Sequence, residues 1–371
     1  MGDPQYKHCQ APHTGSQLIT IHVTGSLQYL NVLGMGDPQY KHCQAPHTGS
    51  QLITIHVTGS LQYLNVLGMG DPQYKHCQAP HTGSQLITIH VTGSLQYLNV
   101  LGMGDPQYKH CQAPHTGSQL ITIHVTGSLQ YLNVLGMGDP QYKHCQAPHT
   151  GSQLITIHVT GSLQYLNVLG MGDPQYKHCQ APHTGSQLIT IHVTGSLQYL
   201  NVLGMGDPQY KHCQAPHTGS QLITIHVTGS LQYLNVLGMG DPQYKHCQAP
   251  HTGSQLITIH VTGSLQYLNV LGMGDPQYKH CQAPHTGSQL ITIHVTGSLQ
   301  YLNVLGMGDP QYKHCQAPHT GSQLITIHVT GSLQYLNVLG MGDPQYKHCQ
   351  APHTGSQLIT IHVTGSLQYH E

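Results

Sequence analysis

Apolar and polar residues alternate in the segment 17–24, which reads QLITIHVT. Every second side chain is apolar and β-branched, at Ile19, Ile21 and Val23. A period of two with β-branched residues is typical of a strand that buries one face. The segment therefore predicts a β-strand, whose other face would carry Thr20, His22 and Thr24.

The next apolar segment, residues 27–33, reads LQYLNVL and fits two patterns. Leu27, Leu30 and Leu33 have helical spacing, whereas Leu30 and Val32 have strand spacing, and seven residues between glycines are short for a helix. The Gly25-Ser26 pair before it predicts either a hairpin turn or a corner between strands. Residues 5–11, QYKHCQA, lie between proline-containing bends and predict a weaker third strand.

These segments recur because the chain repeats one 34-residue unit without substitution. Ten complete copies occupy residues 1–340, and a partial eleventh occupies residues 341–371, ending on His370 and Glu371 where the unit has Leu and Asn. A fixed period of this length is the signature of a repeat architecture. We therefore expect a single tandem-repeat array over residues 1–371.

Short strands between glycine or proline corners, repeated identically, predict an all-β fold. We expect a β-solenoid with one 34-residue coil per repeat, in which like residues stack about 4.8 Å apart. The alternatives are a β-hairpin array and a closed propeller-like ring. In the solenoid, the expected core is Ile19, Ile21, Val23, Leu30 and Val32.

Two features of the unit resemble known repeat proteins. The run LQYLNVLGMG resembles the strand of a leucine-rich repeat through Leu27, Leu30 and Val32, but it departs at Met35, where that family has Asn or Cys. The threonines of segment 17–24, stacked along a solenoid, resemble the threonine columns of ice-binding β-solenoids. The first resemblance carries no functional residue to this chain, and the second implies a flat surface with regularly spaced hydroxyl groups.

Composition narrows the possible partners and location. Charged residues make up 6% of the chain and the net charge is −1, so we expect no nucleic-acid partner. Uninterrupted apolar runs are too short to enter a membrane, and MGDPQY is neither a signal peptide nor a myristoylation site. One cysteine per unit fits a reducing compartment. We therefore predict a cytoplasmic protein.

Candidate chemistry is confined to two sets of side chains. His8, Cys9 and His13 are metal-ligand types close in sequence, and one Zn²⁺ or Cu⁺ per copy is conceivable, but their spacing matches no closed four-ligand site. We expect no metal or cofactor, and we expect Cys9 to be a small buried side chain. Thr20, His22 and Thr24 are the candidates for a periodic surface.

Identical copies also constrain function. A catalytic site needs unlike groups brought together, whereas exact repetition suits a scaffold or a multivalent surface. Coils at the ends that repeat the interior pattern would expose strand edges and apolar side chains. We expect a non-enzymatic structural protein, recently duplicated or designed, that associates with itself through uncapped ends. The alternative is a periodic-surface binder of ice, metal or a polymer.

Overall fold

The structure is a computed structural model of the 371-residue chain. It describes residues 5–7, 13–14, 17–35, 39–44, 47–48, 51–69, 73–78, 80–82, 85–105, 107–112, 114–116, 119–139, 141–146, 148–150, 153–173, 175–180, 182–184, 187–207, 209–218, 221–250, 252, 255–275, 277–282, 284, 289–307, 309–316, 318, 322–341, 345–350 and 357–370.

Each repeat contributes one long strand, which is 19 residues in the complete copies. The long strands are Gln17–Met35, Gln51–Met69, Gln85–Met103, Gln119–Met137, Gln153–Met171, Gln187–Met205, Gln221–Met239, Gln255–Met273, Gln289–Met307, Gln323–Met341 and Gln357–His370. They form one 11-stranded sheet in which each strand lies beside its counterparts in the adjacent repeats.

Short strands complete the coil in two further sheets. The three-residue strands are Gln5–Lys7, Gln39–Lys41, Gln73–Lys75, Gln107–Lys109, Gln141–Lys143, Gln175–Lys177, Gln209–Lys211, Gln243–Lys245, Gln277–Lys279, Gln311–Lys313 and Gln345–Lys347. The two-residue strands are His13–Thr14, His47–Thr48, His81–Thr82, His115–Thr116, His149–Thr150, His183–Thr184 and His217–Thr218.

Neighbouring repeats pair in parallel and in register. Gln119 pairs with Gln153 and Met137 with Met171, so every paired residue lies beside the same residue type one copy away. This pattern confirms the β-solenoid with one coil per repeat. The hairpin alternative is wrong, because the long strand continues through Gly25 and Ser26 and pairs with other repeats.

The corner that turns the long strand lies later than the glycine predicted. Side chains alternate inward and outward up to Leu129, and the next buried residue is Leu132, three positions on. The ladder passes from Leu129 to Tyr131 and leaves out Gln130, so the strand changes direction there. The expectation of two separate strands on either side of Gly25-Ser26 is therefore wrong.

The glycine at the predicted corner has a different role. Gly127 has φ +128°, and a Cβ placed there would overlap the carbonyl oxygen of Gly93 in the preceding coil. A side chain at this position would therefore meet both backbone strain and a backbone clash. Glycine allows adjacent coils to approach closely while the strand remains continuous.

The folded long strand encloses the main apolar core. The expected core positions are confirmed, as shown in one coil by Ile121, Ile123, Val125, Leu132 and Val134. The prediction omitted the Leu27 position, because its spacing to Leu30 matched no strand period. In the interior coils this leucine is also buried, as at Leu129. Gly136 packs against the Ile155 side chain of the next coil, with 3.5 Å to Cδ1 from an ideal Cβ position. This small residue lets the two halves of the strand meet.

A second cluster, made of tyrosine and cysteine, lies beneath the three-residue strands. Tyr142 and Cys145 are each 1% exposed. At one coil the tyrosine hydroxyls meet a threonine, since Thr252 Oγ1 lies 2.7 Å from the Tyr278 hydroxyl oxygen. Residues 8–11 of the predicted strand 5–11 lie outside the described residues. In the second copy the strand ends at Lys41 and the chain turns at His42, which has φ +55°, so the predicted strand is too long.

Candidate functional surfaces

The in-register stacking turns side chains into columns along the array. The imidazole rings of His124 and His158 are 4.9 Å apart and within 2° of parallel. The phenol rings of Tyr131 and Tyr165 have the same separation and angle. Any surface of this protein is therefore a set of parallel columns, each made of one residue type repeated at the strand spacing.

The predicted Thr20, His22 and Thr24 columns lie together on the outer face of the long strand. In one interior coil, Thr88 and His90 are half-buried and Thr92 is exposed. Burial and the charge of its neighbours lower the pKa of His90. Because each imidazole faces another at 4.9 Å, protonation of one disfavours protonation of the next.

Another histidine column, at the His8 position, lies beside the lysine column on the other side of the coil. His8 itself is outside the described residues, but His110 is exposed with φ +56°, and its backbone N–H donates to the Lys143 carbonyl at 2.9 Å. Partial desolvation, then the charges of His144 and His76, and then those of nearby lysines lower the pKa of His110. This surface combines imidazoles and ammonium groups in adjacent columns.

The cysteine column faces the interior. Cys9 is outside the described residues, but its counterpart Cys145 is buried, and its thiol donates to the carbonyls of Lys143 at 3.5 Å and Tyr108 at 3.7 Å. Hydrogen bonding to Cys145 and burial raise the pKa of Cys111 to about 12. The described cysteines are thiols without disulfides. All of these counterparts of Cys9 except Cys349 have the buried position predicted for it.

The proposed metal ligands are divided between the two sides of the coil wall. His144 is exposed and Cys145 is buried, so adjacent residues of this pair do not converge. The side chain of His13 and those of its strand counterparts lie outside the described residues. Within the described part of the chain, there is no cluster of three or more His, Cys, Asp or Glu side chains suited to a metal ion.

Amide ladders connect the coils at two further positions. Asn133 Nδ2 donates to Asn99 Oδ1 at 2.9 Å, and the same bond recurs along that column. Gln153 Nε2 donates to Gln119 Oε1 of the preceding coil at 3.5 Å. It also donates to the Met171 carbonyl at 2.9 Å, which joins the start of its own long strand to the end. The first ladder is exposed, whereas the second lies at the closure of each coil.

The coils at the two ends of the array expose residue types that are buried elsewhere. Leu27 is 37% exposed and Ile359 is 42% exposed, whereas the interior counterparts Leu129 and Ile155 are each 2% exposed. Gln17–Met35 and Gln357–His370 are the terminal strands of the large sheet. Each end therefore presents a strand edge together with apolar side chains.

In the described ranges, no helix has the length and apolar character needed to cross a membrane. A scan against protein-family models, a search of curated proteins and a search of solved structures each gave no significant match.

Proposed function

We propose that this protein is a non-enzymatic structural repeat protein whose copies associate end to end into fibres. The observation that supports this proposal is the exposed apolar side chains on terminal strands of the sheet, such as Leu27 and Ile359. An exposed strand edge is a template for pairing with another chain.

The terminal strands at the two ends can pair with each other because they have the same sequence. Strand Gln357–His370 has the same sequence as the corresponding part of Gln17–Met35 up to Tyr369, and inside the chain such strands pair in register. A second copy placed on the end would continue the same ladder. A head-to-tail contact of this kind leaves a new free edge after each addition, so growth is open-ended.

Blocking both edges tests the proposal. Ile21→Lys with Ile361→Lys places inward-pointing charges in the end coils, a device that blunts strand edges. Thr24→Lys with Thr364→Lys is the matched control, because it adds the same charge to outward-facing positions of the same coils. Light scattering and electron microscopy should find fibres for the unaltered protein and the control, but not for the inward-charge variant.

Two results would contradict end-to-end assembly. One is a concentration-independent monomer of the unaltered protein from low to high micromolar concentration. The other is equal fibre growth by the inward-charge variant and the control. Fibre diffraction with a repeat near 4.8 Å along the fibre would support continuation of the ladder across the joints.

A periodic-surface binder is the second candidate function. It is favoured by the outer columns of Thr88, His90, Thr92 and their counterparts, which repeat at the strand spacing. Ice, metal or a polymer would be the ligand. Saturable binding proportional to the number of repeats would support this function, whereas assembly without a ligand supports the structural one.

We also propose a cytoplasmic location and a recent origin by duplication or design. The location is supported by the buried thiols at nine of the ten described cysteines, which suit a reducing compartment. The origin is supported by the identity of the copies.

A further inference from the structure

A groove runs along the side of the array, on the second half of the long strands. It is lined by the positions of Asn31, Val32 and Leu33 across ten coils and has a volume of about 1260 Å³. Nine steps of 4.9 Å make it about 44 Å long. This surface is separate from the ends of the array and from the Thr and His columns.

A molecule that covers the groove would need few hydrogen-bonding groups and no counterion. The aspartates and lysines of each unit lie on other segments, so the groove contains no charged side chain in its described lining. The asparagine wall is linked internally, as in the 2.9 Å bond from Asn167 Nδ2 to Asn133 Oδ1. Leu135 and its counterparts supply a half-buried apolar wall. Covering this groove would remove apolar surface from water without burying a charge.

The volume sets the size of what can occupy the groove. Shared among ten coils, it is about 126 Å³ for each coil, and an apolar cavity of about 150 Å³ is large enough for benzene. Each coil therefore has room for about one apolar side chain of leucine size. The matching occupant presents such a side chain every 4.9 Å over the full length of the groove.

A second copy of this chain has that spacing. We infer that two copies pair face to face along the grooves, with the leucine column of each copy seated in the groove of the other. Such a contact is isologous, because each copy contributes the same groove and the same column. The common repeat lets all ten coils engage together, so weak contacts accumulate along the interface.

The available area is sufficient for a stable pair. The pairing would cover the whole outer face of the second half of the long strand, of which the groove is the central part, and this face is about 20 Å wide from Tyr131 to Met137 at the rise of a β-strand. Over the groove length this corresponds to about 900 Å² on each copy, or about 1,800 Å² in total, which matches a standard protein interface of about 1,600 Å². The other outer face is less suited to pairing because it presents a hydroxyl group or an imidazole ring at each outward position, and these polar groups would have to be buried.

This pairing differs from the proposed end-to-end growth and is tested with the ends blocked. In the Ile21→Lys and Ile361→Lys background, sedimentation velocity should give a dimer of twice the 40.4 kDa chain mass. Three lysines in the leucine column, two coils apart, should reduce the mass to that of a monomer. The substitutions are Leu101→Lys, Leu169→Lys and Leu237→Lys.

The matched control places three lysines on the other outer face in the same coils. It consists of Thr88→Lys, Thr156→Lys and Thr224→Lys, at half-buried outward positions like those of the leucines. This control should remain dimeric, and all variants should keep the same far-ultraviolet circular dichroism. A monomeric end-blocked parent or a dimeric leucine variant would overturn the pairing, as would equal dissociation of the control.

Charge complementation provides a readout that loss of folding cannot imitate. Glutamates at the same three leucine positions should also give a monomer. An equimolar mixture of the lysine and glutamate variants should form a heterodimer, because opposite charges would then face each other across the groove. Failure of the mixture to associate would overturn the face-to-face arrangement.

A second measurement does not depend on the end-blocking substitutions. With free ends, the unaltered protein should form fibres two arrays wide, and the three-lysine leucine variant should form fibres one array wide. Single-width fibres of the unaltered protein would refute the pairing while leaving end-to-end growth intact. Paired arrays that do not elongate would refute end-to-end growth while leaving the pairing intact.

Discussion

Acidification should destabilise the array through the histidine column on the outer face. The column contains ten adjacent ring pairs separated by 4.8 or 4.9 Å. Burial, followed by a neighbouring histidine, lowers the pKa of His124, and His158 behaves in the same way. The folded state therefore binds protons less readily than the unfolded chain, whose histidines titrate near pH 6.5.

The sign follows from linkage. Because the folded-state pKa of these histidines is lowered, the folded state has its full stability above about pH 6.5, where the column is neutral. Stability is lost as the pH falls through the folded-state pKa values. Two unit charges 4.9 Å apart repel by about 0.8 kcal/mol in water, and physiological salt roughly halves this value. Ten such pairs amount to about 5 kcal/mol for a fully charged column, which is comparable with the whole stability of a small domain.

Thermal unfolding followed by far-ultraviolet circular dichroism at pH 8 and pH 5 measures the effect. The midpoint should fall at pH 5, and added salt should restore part of the loss. Replacing four histidines by glutamine should reduce the pH dependence, because these substitutions remove eight of the ten adjacent ring pairs and leave only those at the two ends. The substitutions are His90→Gln, His158→Gln, His226→Gln and His294→Gln. An unchanged midpoint between the two pH values would refute the reasoning.

Three further predictions concern the interior. Gly195→Ala should cost on the order of 3 kcal/mol or more in chemical denaturation, because Gly195 has φ +132° and the added Cβ would overlap the Gly161 carbonyl oxygen. Gly204→Ala should cost less, because its Cβ would meet the side chains of two isoleucines at 3.4 Å or more. Leu200→Ala should cost about 2–5 kcal/mol in the same assay, because the side chain is fully buried. The buried interior thiols should react with a disulfide reagent only after unfolding, whereas the less buried Cys349 should react first. Uniform rapid labelling of the native protein would contradict the burial of the interior thiols.

The apolar pattern predicted much of this architecture because it repeats. Ile19, Ile21 and Val23 have a clear period of two, which predicts a strand. Because the same segment occurs ten more times, the fold must contain that strand in every copy. Gly25 was misleading, because glycine at a turn and glycine at a close approach between coils look alike in sequence. The corner at the Gln28 position has no proline or glycine to mark it, so only the side-chain directions identify it.

The candidate surfaces were predictable only in part. The position of His22 on the outer face follows from alternation along one strand, so its column could be expected from the sequence. The groove beside Leu33 depends on how the sheet curves after its corner, and no local pattern encodes that curvature. The joint burial of the tyrosine and cysteine columns likewise depends on how the short strands close the coil.

Exact repetition explains why so few residues are charged. In a parallel in-register array, each side chain has its own type as its nearest neighbour in the adjacent coil, so a charged position becomes a column of like charges. The repulsion within the aspartate column is partly offset by hydrogen bonds, since the Asp139 backbone N–H donates to Asp105 Oδ1 at 2.8 Å. The described lysine side chains are exposed, so water screens their repulsion. Asparagine can instead bond to asparagine, and tyrosine can stack on tyrosine, without such repulsion. Such self-compatible residues would also be compatible with a second identical array, and this supports the proposed assembly of copies.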